Sequence, residues 1–190
     1  MKTKLQALFV AVLLAIPIVA LPYSAGARPR DEKKQREPKS RQNLYKEVRH
    51  QLVMLPWYSV FDNLAYQVEG DKVTLYGQVT RPTLKSDAES AVKSIEGVSS
   101  VVNNIEVLPV SPMDDQLRRA VYRAIYGDAA LSRYSIQAVP SIHIIVKNGN
   151  VTLEGVVDNE TDKNVAGLRA NGVPNVFSVK NNLVVAGDGK

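Results

Sequence analysis

The stretch Val73–Gly77 reads VTLYG, and the stretch Val151–Gly155 reads VTLEG. When Val68–Val107 is set against Val146–Val185 at a constant offset of 78, 15 of 40 positions are identical and no gap is needed. Chance does not readily produce such an alignment. The chain therefore contains a tandem repeat, in which one structural unit is used twice.

Each repeat begins with a predicted amphipathic helix. Apolar residues recur at every fourth position in both copies, as Leu44, Val48 and Leu52 and again as Leu117, Val121 and Ile125. This spacing places them on one face of a helix. We expect the first helix to end before Pro56 and the second to end at Gly127.

A predicted hairpin, a second helix and a last strand complete each repeat. Leu64–Val68 and Val73–Val79 alternate between apolar and polar residues, which is typical of strands with one buried face. Gly70-Asp71 and, in the second copy, Asn148-Gly149 are turn signals. The sequence therefore predicts an α+β fold of two tandem αββαβ units. Each unit has a three-stranded mixed sheet with two helices on one face.

Two glycines stand in the middle of the second strand of each repeat. Gly77 and Gly155 lie in register with residues of the buried face, where a glycine normally weakens a strand. Mid-strand glycine usually indicates that another part of the backbone approaches closely. We expect both glycines to be structural, each making room for a helix that crosses the sheet.

The residues of both repeats resemble the BON domain, a bacterial module. The resemblance rests on the hairpin and second strand (VEGDKVTLYGQV from Val68), and on a last strand of the form VVNNIEV or VKNNLVV. It implies the αββαβ fold and no known catalytic residues. Double-BON exported proteins are implicated in envelope integrity and in binding phospholipid surfaces. The second copy departs from the pattern because Asn175 replaces Gly97, so its turn is expected to differ.

The first residues are predicted to be a targeting segment. Residues 1–27 combine a basic start, an apolar run and an A-x-A ending, as in a secretory signal peptide; an uncleaved membrane anchor is the alternative. Residues 28–42 are predicted to be a basic disordered tail, which either contacts anionic surfaces or is a solvated spacer. Domains are expected at 43–110 and 113–186. The protein is therefore expected to be exported, to the periplasm or, without an outer membrane, to the medium.

The composition argues against enzymatic chemistry. The chain has no cysteine, which excludes disulfides, thiol nucleophiles and thiolate metal sites. The histidines, His50 and His143, have no carboxylate cluster nearby in the sequence, so no metal site is predicted. Nucleotide-binding and hydrolase motifs are absent from the sequence. We therefore expect a protein without catalytic activity or cofactor.

The first helix of repeat two is the candidate membrane-binding element. Its residues outside the apolar stripe are arginines and tyrosines: Arg118, Arg119, Tyr122, Arg123 and Tyr126. Guanidinium groups bind lipid phosphates, and tyrosine rings favour the headgroup level. The alternative is a solvated helix face with internal ion pairs, such as Asp115 with Arg119.

The open face of the second sheet is the other candidate surface. Three polar positions of repeat one become Ile145, Val156 and Val184 in repeat two. One interpretation is that these residues pack between the repeats, because each unit is too small to bury much of its surface alone. The other is that they form a docking surface for a partner protein.

These observations predict a non-catalytic envelope protein that binds anionic phospholipid surfaces and supports envelope integrity or stress tolerance, including osmotic stress. The alternative is an adaptor that docks an envelope protein through the sheet face of repeat two. Nucleic acid is not an expected partner, because neither a GXXG clamp nor an aromatic base platform is evident.

Overall fold

The computed structural model describes residues 39–187. The first repeat consists of α1 (Lys39–Val53), β1 (Asn63–Glu69), β2 (Lys72–Val79), α2 (Pro82–Lys93), β3 (Ser100–Asn103) and β4 (Glu106–Val107). The second consists of α3 (Pro112–Tyr126), a short 3-10 helix (Ser132–Ser135), β5 (Ile142–Lys147), β6 (Asn150–Val157), α4 (Glu160–Asn171), β7 (Ser178–Asn181) and β8 (Val184–Val185). The predicted signal peptide and most of the predicted tail lie outside the described residues.

The central strand of each sheet is the one that contains the repeated pentapeptide. Strand β2 pairs with β1 in antiparallel fashion and with β3 and β4 in parallel, so β3 and β4 form one interrupted third strand. The second sheet has the same order around β6. In repeat one, the inward residues of β2 pack against buried residues of α1 and α2, such as Val48 and Ala88. The predicted fold class, two tandem α+β units with mixed sheets, is confirmed.

The repeated Asn-Asn pair explains why the third strand is interrupted. The side chain of Asn103 donates to the carbonyl of Lys85 in α2 at 2.9 Å and accepts from the backbone N–H of Ile105 at 3.2 Å. Asn181 makes the equivalent bonds with Lys163 and Leu183 at 2.7 and 3.2 Å. Each asparagine therefore ties the last strand to the second helix of its repeat.

Gly77 and Gly155 are structural, but the predicted reason was wrong. A Cβ on Gly77 would lie 2.0 Å from the carbonyl oxygen of Asn63 in β1, and one on Gly155 would lie 2.0 Å from that of Ser141. Both glycines also have positive φ angles, +113° and +121°. The close neighbour is therefore the backbone in or next to the adjacent strand and not a helix.

Two local expectations need correction. Helix α1 begins at Lys39, so residues 39–42 of the predicted disordered tail are helical; lysine, arginine and glutamine favour a helix that extends beyond its apolar stripe. Asn175 has a φ of 67° and Gly97 a φ of 90°. Both residues lie in the left-handed region, so the turn of repeat two does not differ in this respect.

The two repeats share part of one core. Val60, from the loop between α1 and β1, belongs to the buried cluster of repeat two, and Phe61 packs against that cluster. The backbone N–H of Ile144 in β5 donates to the carbonyl of Val60 at 2.8 Å. Both cores are formed by residues between Leu44 and Val185. A chain that begins at Arg28 therefore retains every core residue that the structure describes.

Candidate functional site

Helix α3 uses two of its predicted lipid-binding residues inside the fold. Arg118 is 5% exposed; its guanidinium donates to the carbonyl of Val146 at 2.7 Å and to the carboxylate of Asp115 at 2.5 Å. Tyr126 is 8% exposed and donates to the carbonyl of Ile142 at 2.6 Å. Burial raises the pKa of Tyr126. The prediction that Arg118 and Tyr126 contact lipid is therefore wrong, because both side chains attach α3 to β5.

Tyr122 lies at the contact between the repeats. Its ring is half-buried, 4.8 Å from the ring of Tyr126 and 6.1 Å from that of Phe61, measured between centroids. Phe61 comes from the loop of repeat one, so part of Tyr122 is covered by the other repeat. Only part of this side chain remains for an external surface.

Arg119 and Arg123 are the predicted residues that remain exposed. Neither takes part in an ion pair among the described residues. They line a groove between α3 and the loop after α4, together with Val173 and Pro174. Within residues 39–187, no carboxylate lines this groove. It is therefore a cationic surface with an apolar floor.

A neighbouring groove extends this surface onto α4. Arg123 also lines a depression with Leu168 and Arg169. Leu168 is 70% exposed and Met113, at the start of α3, is 57% exposed, so apolar side chains flank the arginines. The guanidinium of Arg169 is partly neutralised by Asp128 at 2.7 Å. We refer to these five residues, which are Met113, Arg119, Arg123, Leu168 and Arg169, as the arginine face.

Comparison of the two copies shows that repeat one keeps only part of the arginine face, because exposed Lys46 aligns with Arg119 but His50 replaces Arg123. The equivalent groove of repeat one, about 720 Å³ in volume, is lined by Glu47, Asp71 and Glu96, and no basic residue whose side chain the structure describes lines it. At aligned positions of the second helix, Ser90 and Ala91 become Leu168 and Arg169. Sequence reasoning missed these last two residues, although this difference between the copies was a usable signal.

The three residues predicted for the sheet face are divided by the structure. Ile145 is only 4% exposed and lines a groove that also includes Gln78 and Glu106 of repeat one. Lys147 next to it forms a salt bridge with Glu106 at 2.5 Å. Ile145 therefore lies between the repeats, whereas Val156 and Val184 are paired in register and are 50% and 52% exposed. A partner at these two valines stays a prediction.

His143 of β5 packs against repeat one. Its ring stacks on Tyr58 with centroids 5.6 Å apart, and its Nδ1 atom is buried without a hydrogen-bond partner among the described residues. Burial lowers the pKa of His143, although the backbone and carboxylate of Asp62 act in the opposite direction. Burial also raises the pKa of Tyr58 to about 12. Both rings are therefore neutral at physiological pH.

This arrangement predicts an acid-sensitive contact between the repeats. In the unfolded chain the pKa of His143 is near the ordinary value of 6.5, and in the folded chain it is lower. At a pH between these two pKa values, the unfolded state therefore binds more protons than the folded state. The free energy of unfolding therefore has its full value above pH 6.5 and decreases as the pH falls below it, by at most about 1.4 kcal/mol per pH unit. Urea unfolding at neutral and mildly acidic pH should show this slope, and His143→Gln should reduce it. The exposed His50→Gln serves as the control, and an unchanged slope in the His143 variant would contradict the prediction.

The described residues contain neither a membrane-spanning helix nor a metal centre. No helix among them is long and apolar enough to cross a bilayer. Over the same residues, no three His, Cys, Asp or Glu side chains are grouped so that they could hold a metal ion.

Comparison with known proteins identifies the family. The sequence matches the BON domain over residues 42–109 and 114–187, and the chain belongs to the BON domain family, which is in general non-catalytic. Two solved structures of CdsD, a structural protein of the type III secretion system of Chlamydia trachomatis, are similar at 16% and 13% identity. Each covers 75% of this chain and 92% or 97% of its own, with a TM-score of 0.28. Comparison with curated proteins found no match.

Proposed function

We propose that this protein is a non-catalytic envelope protein that binds anionic phospholipid surfaces peripherally through the arginine face. The observation that carries the proposal is the pairing of exposed, unneutralised Arg119 and Arg123 with exposed Met113 and Leu168. Guanidinium groups bind lipid phosphates, while apolar side chains enter the boundary with the acyl chains. Export by the predicted signal segment would bring the protein to such a surface.

The expected binding is weak and depends on salt. Each basic residue near an anionic membrane contributes about 1 kcal/mol, and this attraction falls off within a Debye length. Arg169 contributes less than the other two, because Asp128 is bound to it. The membrane is favoured over an envelope protein at the sheet face because Ile145, one of the three residues predicted there, is buried between the repeats.

Vesicle flotation with variants of the arginine face tests the proposal. The chain from Arg28 should float with vesicles that contain anionic lipid and not with neutral ones. Arg119→Gln with Arg123→Gln should weaken binding by about 2 kcal/mol, roughly thirtyfold. Arg123→Gln alone is compared with Lys180→Gln, which removes one exposed charge from β7 of the same repeat. Equal loss in these two single variants, or binding to neutral vesicles, would refute a specific arginine face.

A further inference from the structure

The loop after α1 exposes the chain's single tryptophan in an unusual conformation. Trp57 has a φ of 71° and is 68% exposed. A bulky residue with positive φ is an outlier, and such outliers persist where the surroundings or a function demand them. Met54 on the same loop and Val53, the last residue of α1, are 67% and 44% exposed. The end of α1 and the loop therefore expose three apolar side chains.

The equivalent position of repeat two is occupied differently. Arg133 aligns with Trp57, lies in the 3-10 helix and forms ion pairs with Asp158 and Asp162. Its φ is not positive. The side chain of repeat two is thus held within its own repeat, whereas that of repeat one is directed outward. The exposed tryptophan is a particular feature of the first copy and is not required by the shared fold.

A cation accompanies the tryptophan and connects it with the arginine face. The guanidinium carbon of Arg81 lies 4.7 Å from the centroid of the Trp57 ring. No ion pair within residues 39–187 includes Arg81. Arg81 also lines a groove of about 450 Å³ together with Val110, which is 96% exposed, and Arg119 of the arginine face. The ion pair between Arg118 and Asp115 lies in the same groove. One groove therefore connects Arg81, beside the loop, with Arg119 on α3, and its one carboxylate is already paired with Arg118.

We propose that Val53, Met54, Trp57 and Arg81 form a second contact with the anionic bilayer, in which Trp57 is the interfacial anchor. This proposal rests on the function proposed above and extends it to repeat one. Tryptophan favours the headgroup level, because its ring is apolar and its N–H is polar. Arg81 binds the phosphate beside the ring, while Met54 and Val53 enter the acyl boundary.

The single tryptophan makes the test direct. The chain from Arg28 is mixed with neutral phosphatidylcholine vesicles and with vesicles that also contain phosphatidylglycerol. We expect the emission of Trp57 to shift to shorter wavelength, and brominated acyl chains to quench it, only with the anionic vesicles. Trp57→Ala should weaken flotation about tenfold, from the apolar area that it loses, and Arg81→Gln about fivefold.

Matched variants separate this contact from general effects. Tyr76→Ala removes an exposed aromatic ring of β2, and Lys72→Gln removes a charge at the end of β2 far from Arg81; both should bind as the parent chain does. If the chain floats with anionic vesicles while the Trp57 emission stays unchanged, the second contact is refuted and the proposed function stands. Absence of flotation refutes both.

Discussion

Gly77→Ala is expected to unfold repeat one. The new Cβ would lie 2.0 Å from the carbonyl oxygen of Asn63, which is backbone and has no flexible end to move. Relief requires separation of β1 from β2, the pairing that builds the hairpin. We expect a loss of at least about 4 kcal/mol, which is exceptional for one methyl group and a large part of the total stability of a domain. Chemical denaturation followed by circular dichroism measures this loss.

Gly97→Ala is the matched control in the same repeat. Gly97 also has a positive φ, +90°, but a Cβ there meets no atom within 4 Å. Its substitution should cost only the conformational penalty of about 1–2 kcal/mol. Both variants lose the backbone freedom of glycine at positive φ, but only Gly77→Ala also creates a steric clash with β1. The difference between their free energies of unfolding therefore measures the cost of that clash. Similar losses in both would show that the approach is unimportant.

The repeat made the fold predictable, because a duplicated pattern reveals which positions both copies must keep. The alternation in β2 and the Asn-Asn pair were visible in the sequence, as was the need for glycine at position 77. The source of that need was not visible. The carbonyl of Asn63 lies beside Gly77 because of the register between β1 and β2. That register cannot be read from the sequence.

The candidate site was predictable only in part, because contact between the repeats changes which side chains are exposed. The spacing of α3 correctly placed Leu117, Val121 and Ile125 in the core. Arg118 directly follows Leu117, and β5 covers it. The loop carrying Phe61 reaches the neighbouring Tyr122. A helix wheel gives a buried stripe, but the width of that stripe depends on neighbours that are distant in sequence.

Asp62 of the same loop is buried, although an acidic residue in a sequence is expected at the surface. Asp62 is fully buried and accepts four hydrogen bonds. One carboxylate oxygen accepts from the N–H and hydroxyl of Ser59 at 3.1 and 2.6 Å, and the other from those of Thr80 at 2.6 and 2.8 Å. In repeat two, the N–H of Asp158, which aligns with Thr80, donates to the hydroxyl of Tyr134 instead. The copies thus close the same end of the sheet with different groups.

Asp62→Ala is therefore expected to destabilise both repeats together. It leaves the part-buried N–H groups of Ser59 and Thr80 without their acceptor, at a cost of about 1–3 kcal/mol each, so we expect a total loss of about 3–4 kcal/mol. It also frees the loop that places Val60 in the core of repeat two. Urea unfolding followed by circular dichroism measures the loss.

A double-mutant cycle with Thr80→Val separates the bond made by the Thr80 hydroxyl from the rest, because valine keeps the backbone donor and removes only the hydroxyl. The matched control is Asp71→Ala, which removes an exposed carboxylate and should change stability by less than about 0.5 kcal/mol. If Asp62→Ala behaves like this control, the loop does not hold the repeats together. If it unfolds repeat one while the melting of repeat two is unchanged, the shared core contributes nothing to their coupling.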